Sequence, residues 1–211
     1  MTDQPKHPSF SEPWPASVQR ARVLSADCPW PFDQAADIDG SRWGTIDLHY
    51  KPLSMLELRL FPVPPMEYDA ILALWRVASM PQEALDVVKA WGFTAKAELV
   101  WLKRTKTGKR HFGMGRQVRM EHEIAIIATR GKVEPKVKNI RSTFEAPVPV
   151  YPVGHPRAGH TIHSAKPEKF YDILEELYRG PYAELFARRR RPGWACYGNQ
   201  LPPEETPCPT S

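Results

Sequence analysis

Continuous apolar runs constrain the fold of this chain more than any other feature. The runs "YDAILALWRV" (residues 68–77) and "EIAIIATRG" (123–131) lack the alternation of a half-exposed strand, so both predict strands buried on two faces. Four further segments predict strands: "ARVLSA" (21–26), "KAELVWLK" (96–103), "AELFARR" (183–189) and "GWACYGN" (193–199).

Three segments between these runs have the pattern of helices. Ser54 followed by Glu57 is a capping box that begins a short helix within residues 52–61. The other two helices are residues 81–93, from Pro81 to the stop at Gly92, and residues 166–180, opened by Ser164 and Pro167 and closed by Gly180. Residues 132–164 are rich in Pro, His and polar side chains and predict long loops. Strands that alternate with helices predict an α/β fold, with a mostly parallel central sheet and helices on both faces.

The chain has 211 residues, enough for one sizeable domain, which we assign to residues 21–201. Prolines crowd residues 1–20 and 202–211 and predict flexible terminal segments. The first residues lack the apolar core of a signal peptide, and no stretch approaches the roughly 20 apolar residues of a membrane span. These features predict a soluble, cytoplasmic protein without a membrane partner, and they leave oligomerisation open.

Cysteine and histidine spacing argues against a metal site. Cys28, Cys196 and Cys208 lack the paired spacing of a disulfide framework or a zinc site. His160 and His163 have a ligand-like spacing, but no cysteine or acid completes a set nearby. We therefore expect no metal cofactor.

Positive charge is concentrated in one stretch, although the net charge is only +5. Residues 103–119 hold seven basic side chains and no acid: Lys103, Arg104, Lys106, Lys109, Arg110, Arg116 and Arg119. Residues 188–191 form a second basic cluster. Such a stripe predicts a polyanionic partner such as nucleic acid, with a solvated loop as the alternative. Both clusters follow predicted strands, as do residues 27–30, and ligands of α/β sheets bind beyond the carboxyl ends of strands. The three segments are therefore expected to share one cleft.

The strand at residues 21–26 leads into Asp27, Cys28, Pro29 and Trp30. A nucleophilic thiol needs a lowered pKa, and an acid next to Cys28 acts against this. A carboxylate and a main-chain carbonyl, in contrast, can both accept hydrogen bonds from one exocyclic amine, while Trp30 stacks on the ring that carries it. The four residues therefore favour a pocket for an adenine or cytosine amine over a nucleophile. On spacing alone, a turn with a core tryptophan remains open.

Motifs in a consistent order follow this turn. They are "HYKPLSMLEL" (49–58), "LALWRV" (72–77), "ALDVVKAWGF" (84–93), "LVWLK" (99–103), "GMGRQVRMEHEIAIIATRGK" (113–132), "SAKPEKFYDILEELY" (164–178) and "AELFARRRRPGWACYGNQL" (183–201). From about residue 21 to 201 the chain thereby resembles the MT-A-type adenine-N6 methyltransferases, whose Asp-Pro-Pro-Trp signature corresponds to "DCPW" here.

The resemblance implies a Rossmann-like, S-adenosylmethionine-dependent methyltransferase with permuted motif order, in which the catalytic motif precedes the main cofactor-binding segments. It implies that Asp27 and the carbonyl of Cys28 hold the target amine, that Pro29 and Trp30 complete the motif with Trp30 lining the base pocket, and that Tyr50 lies near the site. The implied cofactor-binding residues are Asp27, Lys166, Glu184, Arg188, Asn199 and Gln200. Cys28 replaces a family proline, so the carbonyl acceptor is kept and the stiffness of proline is lost.

The implied reaction is direct methyl transfer to the N6 amine of adenine, with S-adenosylhomocysteine as product and no covalent enzyme intermediate. Compact family members are bacterial and phage enzymes that act on DNA, so we expect DNA rather than RNA as partner and a bacterial or phage-infected cell as the setting. RNA N6-adenosine methylation and cytosine N4 methylation are alternatives. A non-catalytic nucleic-acid-binding partner is an alternative of another class, against which the retained Asp27, Trp30 and Lys166 argue.

Overall fold

The computed structural model describes residues 20–31, 52–113, 117–151, 153–154, 156–162, 165–198 and 201. In this part of the chain the elements are β1 (Ala21–Asp27), α1 (Met55–Leu60), β2 (Met66–Arg76), α2 (Pro81–Ala90), β3 (Thr94–Arg104), β4 (His122–Arg130), β5 (Thr143–Pro147), α3 (Glu168–Leu177), β6 (Tyr182–Leu185) and β7 (Trp194–Tyr197). Apart from Arg20, the terminal segments predicted to be flexible, 1–20 and 202–211, lie outside the described residues.

The strands form one sheet in the order β5-β3-β4-β2-β1-β6-β7. All neighbouring pairs are parallel except those of β4, which runs antiparallel to both β2 and β3. The predicted mostly parallel α/β sheet is therefore confirmed, and its architecture is that of a Rossmann-like methyltransferase fold.

Helices cover both faces of this sheet, as predicted. On one face Leu58 of α1 and Val87 of α2 pack in a core with Leu24 and Leu72. On the other face the amphipathic α3 buries its apolar side chains against a second core that is rich in aromatic rings. The runs of β1 and β2 are buried on both faces because they lie at the centre of the sheet.

The local signals for α1 and α2 are confirmed in detail. The Ser54 hydroxyl accepts a hydrogen bond from the Glu57 N–H at 3.2 Å, and the Glu57 carboxylate accepts one from the Ser54 N–H at 2.7 Å, which completes the capping box. Helix α2 begins at Pro81, and Gly92 adopts a φ of 81° just after its end, a conformation that favours glycine.

Three differences from the sequence prediction have a clear structural reason. Residues 132–164 are not loop throughout, because Thr143–Pro147 forms edge strand β5, with Phe144 and Ala146 turned into the core. Helix α3 uses Pro167 as its N-cap without a side-chain cap and stops at Leu177, three residues before Gly180, while Ser164 lies outside the described residues. Strand β6 ends four residues earlier than predicted, because the next residue turns the backbone out of the extended region.

None of the described helices is long and apolar enough to cross a membrane.

Candidate active site

Charged side chains meet at one edge of the sheet, where the parallel strands end. Asp27 is the last residue of β1, next to Trp75 near the end of β2. Because β4 is antiparallel, its amino-terminal end, with Glu123, lies at this same edge. Lys166 lies just before α3, which packs over this side of the sheet. The four residues come from four separate parts of the chain, so only the fold brings them together.

Lys166 is the centre of the cluster. Its Nζ lies 3.0 Å from Oδ2 of Asp27 and 3.0 Å from Oε2 of Glu123, and the residue is only 8% exposed. The same Nζ lies 5.1 Å from the centre of the Trp75 ring, a cation–π contact. Burial lowers the pKa of Lys166, but Asp27 and Glu123 outweigh it and raise the pKa above its usual value. The ammonium is therefore charged at every physiological pH.

Glu123 continues the cluster towards β3. Its Oε1 lies 2.7 Å from Nζ of Lys103, the next-to-last residue of β3. Burial raises the pKa of Glu123, and the ammonium groups of Lys166 and Lys103 together outweigh this and lower the pKa to about 2. Asp27, Lys166, Glu123 and Lys103 thus form a continuous chain of alternating charge, which we call the ion chain.

Arg188 approaches the ion chain from β6. Phe186, directly after β6, has a φ of 60°, and the Ala187 N–H donates to the carbonyl of Tyr197 at 2.9 Å. This turn brings Nη2 of Arg188 to 3.7 Å from Oδ2 of Asp27. Gly198 makes the turn possible, since a Cβ there would lie 2.7 Å from the Ala187 nitrogen and closer still to its carbonyl oxygen.

The turn after Asp27 is rigidly held. The carbonyl of Cys28 accepts the Trp30 N–H at 2.9 Å, and the carbonyl of Pro29 accepts the Leu53 N–H at 2.9 Å. Burial, followed by the charge of Asp27, raises the pKa of the Cys28 thiol well above its usual value, which argues against a nucleophile. One lone pair of the Cys28 carbonyl remains for an amine.

Trp30 takes a different place from the one that the resemblance implies. Its ring is 2% exposed and packs in the core shared with α1 and α2, and its indole N–H donates to the carbonyl of Trp75 at 3.0 Å. The ring therefore anchors the turn from below rather than lining an open base pocket. The physical reason is that an indole buries a large apolar surface once its N–H finds an acceptor.

Glu184 lies on β6 opposite Ser25, so it is two residues further from the sheet edge than Asp27, on the face covered by α3. The Tyr171 hydroxyl donates to its Oε1 at 2.6 Å. Burial raises the pKa of Glu184 to about 7, even though the hydrogen bond from Tyr171 lowers it. Close to neutral pH the group therefore exists in both protonation states, and its cofactor contact stays a prediction.

The basic stretch 103–119 divides into two groups. Lys103 and Arg104, at the end of β3, form ion pairs within the protein, with Glu123 and Glu145 respectively. The basic side chains beyond the strand are exposed; they are Lys106, Lys109, Arg110 and Arg119, of which Arg110 also lies 3.5 Å from Glu121. Bridges between Arg104 and Arg110 and between Gly113 and Met120 give this segment the form of a hairpin-like extension.

The second basic cluster, residues 188–191, also divides. Arg188 faces Asp27, whereas Arg189 and Arg191 pair with acids of α3: both contact Glu168, and Arg191 also lies 3.0 Å from Asp172. Arg189 in addition donates to the carbonyl of Lys166 at 3.2 Å and so steadies the segment that carries the central ammonium.

The sequence analysis missed Glu123. An acid at the start of an otherwise apolar strand was a usable signal, because such a position lies at a sheet edge. Four predicted site residues lie outside the described part of the chain: Tyr50, Arg116, Asn199 and Gln200.

A family model described as MT-A70 matches residues 22–200 of this sequence. The chain belongs to the MT-A70 family. MT-A70 proteins are S-adenosylmethionine-dependent methyltransferases, and the ion chain lies inside the matched region.

Three relatives indicate the range of this family. The chain is 29% identical over 184 residues to the N(6)-adenosine-methyltransferase MT-A70-like protein of Drosophila melanogaster, which covers 85% of this chain and 26% of the relative. It is 28% identical over 191 residues to the human N(6)-adenine-specific methyltransferase METTL4, covering 85% of this chain and 37% of the relative. It is 23% identical over 210 residues to the Type II methyltransferase M.MunI of Mycoplasma sp, and this match covers 91% of this chain and 82% of the relative. The chain thus spans about a quarter of the Drosophila protein, somewhat more than a third of human METTL4 and most of M.MunI.

Proposed function

We propose that this MT-A70 protein transfers a methyl group from S-adenosylmethionine to the N6 amine of adenine in DNA. The observation that carries the proposal is the state of Asp27. Its carboxylate stands at the carboxyl edge of the sheet, is held by the buried ammonium of Lys166 at 3.0 Å, and keeps 20% of its side chain exposed. A carboxylate that is fixed and still accessible is suited to receive an amine.

The residues of the site fit the cofactor. The amino-acid end of S-adenosylmethionine carries a carboxylate and an ammonium, and the site offers the opposite charges, with Lys166 and Arg188 as cations and Asp27 as an anion. When bound, the cofactor supplies a methyl group made electrophilic by its attachment to a sulfonium. Lys166 would hold the carboxylate, because its buried ammonium loses little entropy on binding.

Asp27 and the turn after it would position the amine. The Asp27 carboxylate accepts one N–H of the amine and the remaining lone pair of the Cys28 carbonyl accepts the other, which leaves the nitrogen lone pair directed away from both. The cofactor would supply the methyl group to this nitrogen, and Asp27 is placed to take the proton that the amine loses on methylation. The chain contributes chiefly alignment, which can supply roughly 7–11 kcal/mol of the barrier.

The exposed basic side chains support nucleic acid as the substrate. Lys106, Lys109, Arg110 and Arg119 extend from the same sheet edge as Asp27, so they can contact phosphates while a base enters the site. A match that covers most of a bacterial type II methyltransferase, together with a match to an N(6)-adenine-specific enzyme, supports DNA.

Nucleoside mass spectrometry tests the reaction. The purified protein is incubated with S-adenosylmethionine and, separately, with duplex DNA, single-stranded DNA and RNA. We expect N6-methyladenine in DNA. N6-methyladenosine in RNA alone would change the substrate, and N4-methylcytosine would change the base. Cofactor binding without methylation of any nucleic acid would refute the proposed reaction.

The Asp27→Asn variant tests the mechanism, because it keeps the size of the side chain and removes its charge. We expect methylation to fall by at least about 100-fold while DNA binding stays close to that of the wild type. Asp86→Asn is the matched control, since Asp86 lies on α2 and bonds only to Gln82 among the described contacts. Full activity of Asp27→Asn would refute the assigned role.

A further inference from the structure

Lys103 lies at the end of the ion chain, whereas the basic side chains beyond β3 are exposed. We infer that Lys103 is a positioning residue: its ammonium holds the Glu123 carboxylate in place, and Glu123 in turn fixes Lys166 against Asp27. The inference rests on the proposed function and concerns how the same site is kept in order. It changes the role expected from the sequence, where Lys103 is the first of seven basic residues that contact phosphates.

The position of the Lys103 side chain argues against a phosphate contact. Only 15% of the side chain is exposed, and its Nζ lies 2.7 Å from Glu123 and 5.6 Å from the centre of the Trp101 ring. A phosphate would have to replace a short, partly buried ion pair and a cation–π contact, whereas the exposed Lys106 needs to give up neither.

The ion chain explains how Lys103 acts over a distance. Lys166 is shared between two carboxylates at equal distances of 3.0 Å, Asp27 on one side and Glu123 on the other. Lys103 binds Oε1 of Glu123, the oxygen that Lys166 does not contact, and so reduces the attraction of Glu123 for Lys166. Without Lys103, Glu123 has Lys166 as its only cation within the ion chain. The Lys166 ammonium is then drawn towards Glu123 and away from Asp27, which disturbs both the cofactor-binding cation and the amine acceptor.

A comparison of three lysine variants tests this inference. Lys103→Met keeps a long unbranched side chain and removes the ammonium, and with it the ion pair to Glu123 and the cation–π contact with Trp101. We expect it to lower kcat about 10-fold or more and to weaken S-adenosylhomocysteine binding, measured by calorimetry without nucleic acid, by about 10-fold. The slope of log Kd for duplex DNA against log salt concentration should stay at the wild-type value.

Two control variants show the results expected for a phosphate contact and for the loss of one positive charge alone. Lys106→Met removes an exposed lysine just beyond β3, and we expect it to raise KM for DNA and to reduce the salt slope by about 0.9, without a change in S-adenosylhomocysteine affinity. Lys89→Met, on the exposed side of α2, controls for the loss of one positive charge and should leave all of these quantities unchanged.

A double-mutant cycle shows whether Lys103 acts through Glu123. If it does, the double variant Lys103→Met/Glu123→Gln loses no more kcat than Glu123→Gln alone, because the path is already broken. If Lys103 and Glu123 act independently, the fold losses in kcat of the two single variants multiply in the double variant. Lys103→Arg should restore most of the activity. If the methionine variant does not fold, Lys103→Gln, which retains a donor for Glu123, gives the same comparison with a smaller expected loss.

The outcomes separate this inference from the proposed function. A wild-type protein that methylates nothing refutes the function, and the S-adenosylhomocysteine affinities of the variants still test the ion chain. A wild type that methylates DNA, combined with a Lys103→Met variant that keeps kcat and cofactor affinity but has a reduced salt slope, would show that Lys103 contacts phosphate and would overturn the inference.

Discussion

Replacing Glu123 by glutamine is the most direct physical test of the ion chain. Glu123 lies between Lys166 and Lys103, and although burial raises its pKa, the two ammonium groups lower it to about 2 from the ordinary 4.5. A carboxyl whose pKa is lower in the folded than in the unfolded state stabilises the fold above its unfolded pKa. That stability is lost as the pH falls from 4.5 through 2.

The size of the effect follows from the pKa difference of about 2.5 units. At 1.36 kcal/mol per unit, the ionised Glu123 contributes up to about 3.4 kcal/mol to the free energy of unfolding at pH 7. At pH 3 the same calculation gives about 1.4 kcal/mol, because protons already bind the unfolded chain. The side chain is 25% exposed, so solvent screening makes these upper values. The contribution of Glu123 to the free energy of unfolding is therefore smaller at pH 3 than at pH 7 by about 2 kcal/mol or somewhat less.

Urea unfolding of the wild type and of Glu123→Gln at pH 7 and pH 3 measures this difference. We expect the variant to be clearly less stable at pH 7 and the gap to narrow by up to about 2 kcal/mol at pH 3. Glu98→Gln is the matched control, because Glu98 pairs with Arg76 at 3.2 Å but is 50% exposed; it should show little difference at either pH. A gap for Glu123→Gln that is the same at both pH values would refute the reasoning.

Three further predictions concern other parts of the fold. Gly198→Ala should lower the free energy of unfolding by about 1–3 kcal/mol, since its Cβ would press on the backbone of Ala187, whereas Gly113→Ala, with only an ordinary contact, should cost much less; urea unfolding compares them. Ser54→Ala should cost about 1 kcal/mol in the same assay and leave methylation intact, because the cap of α1 is broken and the ion chain is not. Glu184→Gln should change stability with the opposite sign from Glu123→Gln: burial raises the pKa of Glu184 to about 7, so its ionisation destabilises the fold as the pH rises from 4.5 through 7. Thermal melting should show the Tm of the glutamine variant rising relative to that of the wild type between pH 5 and pH 8. A Tm difference that does not change with pH would contradict the buried environment assigned to Glu184.

The sequence was sufficient for the elements whose signals are local. The capping box of α1, the proline start of α2 and the apolar runs of β2 and β4 each depend on neighbours within a few residues, and all four agree with the structure. Strand β5 escaped because it has only five residues, of which Phe144 and Ala146 alternate with exposed ones in a proline-rich stretch. Its strand conformation depends on pairing with β3, which is distant in sequence.

The position of a site residue was easier to predict where the residue type itself suggests a role. It was harder to predict where contacts with residues distant in sequence decide the position of the side chain. Asp27 and Lys166 were both expected at the site, and the structure brings their charged groups to 3.0 Å, while their roles stay predictions. Trp30 was expected in the base pocket, but a carbonyl of β2 and the core of the opposite face determine where its ring lies. Nothing in the basic run separates Lys103 from Lys106, because the acid that distinguishes them lies 20 residues further along the chain.

The antiparallel strand explains why one partner of the site was overlooked. The rule that ligands bind beyond the carboxyl ends of parallel strands directs attention to residues that follow strands. It selected Asp27 and Arg188, whose side chains the structure brings to 3.7 Å. Strand β4 reverses direction, so the residues at its beginning lie at that edge, and Glu123 is one of them. Strand β4 runs in the opposite sense and thus adds Glu123 to an edge where β1 supplies Asp27 and β3 supplies Lys103. Since Lys166 binds both acids, the reversed strand is part of what holds Asp27 in place.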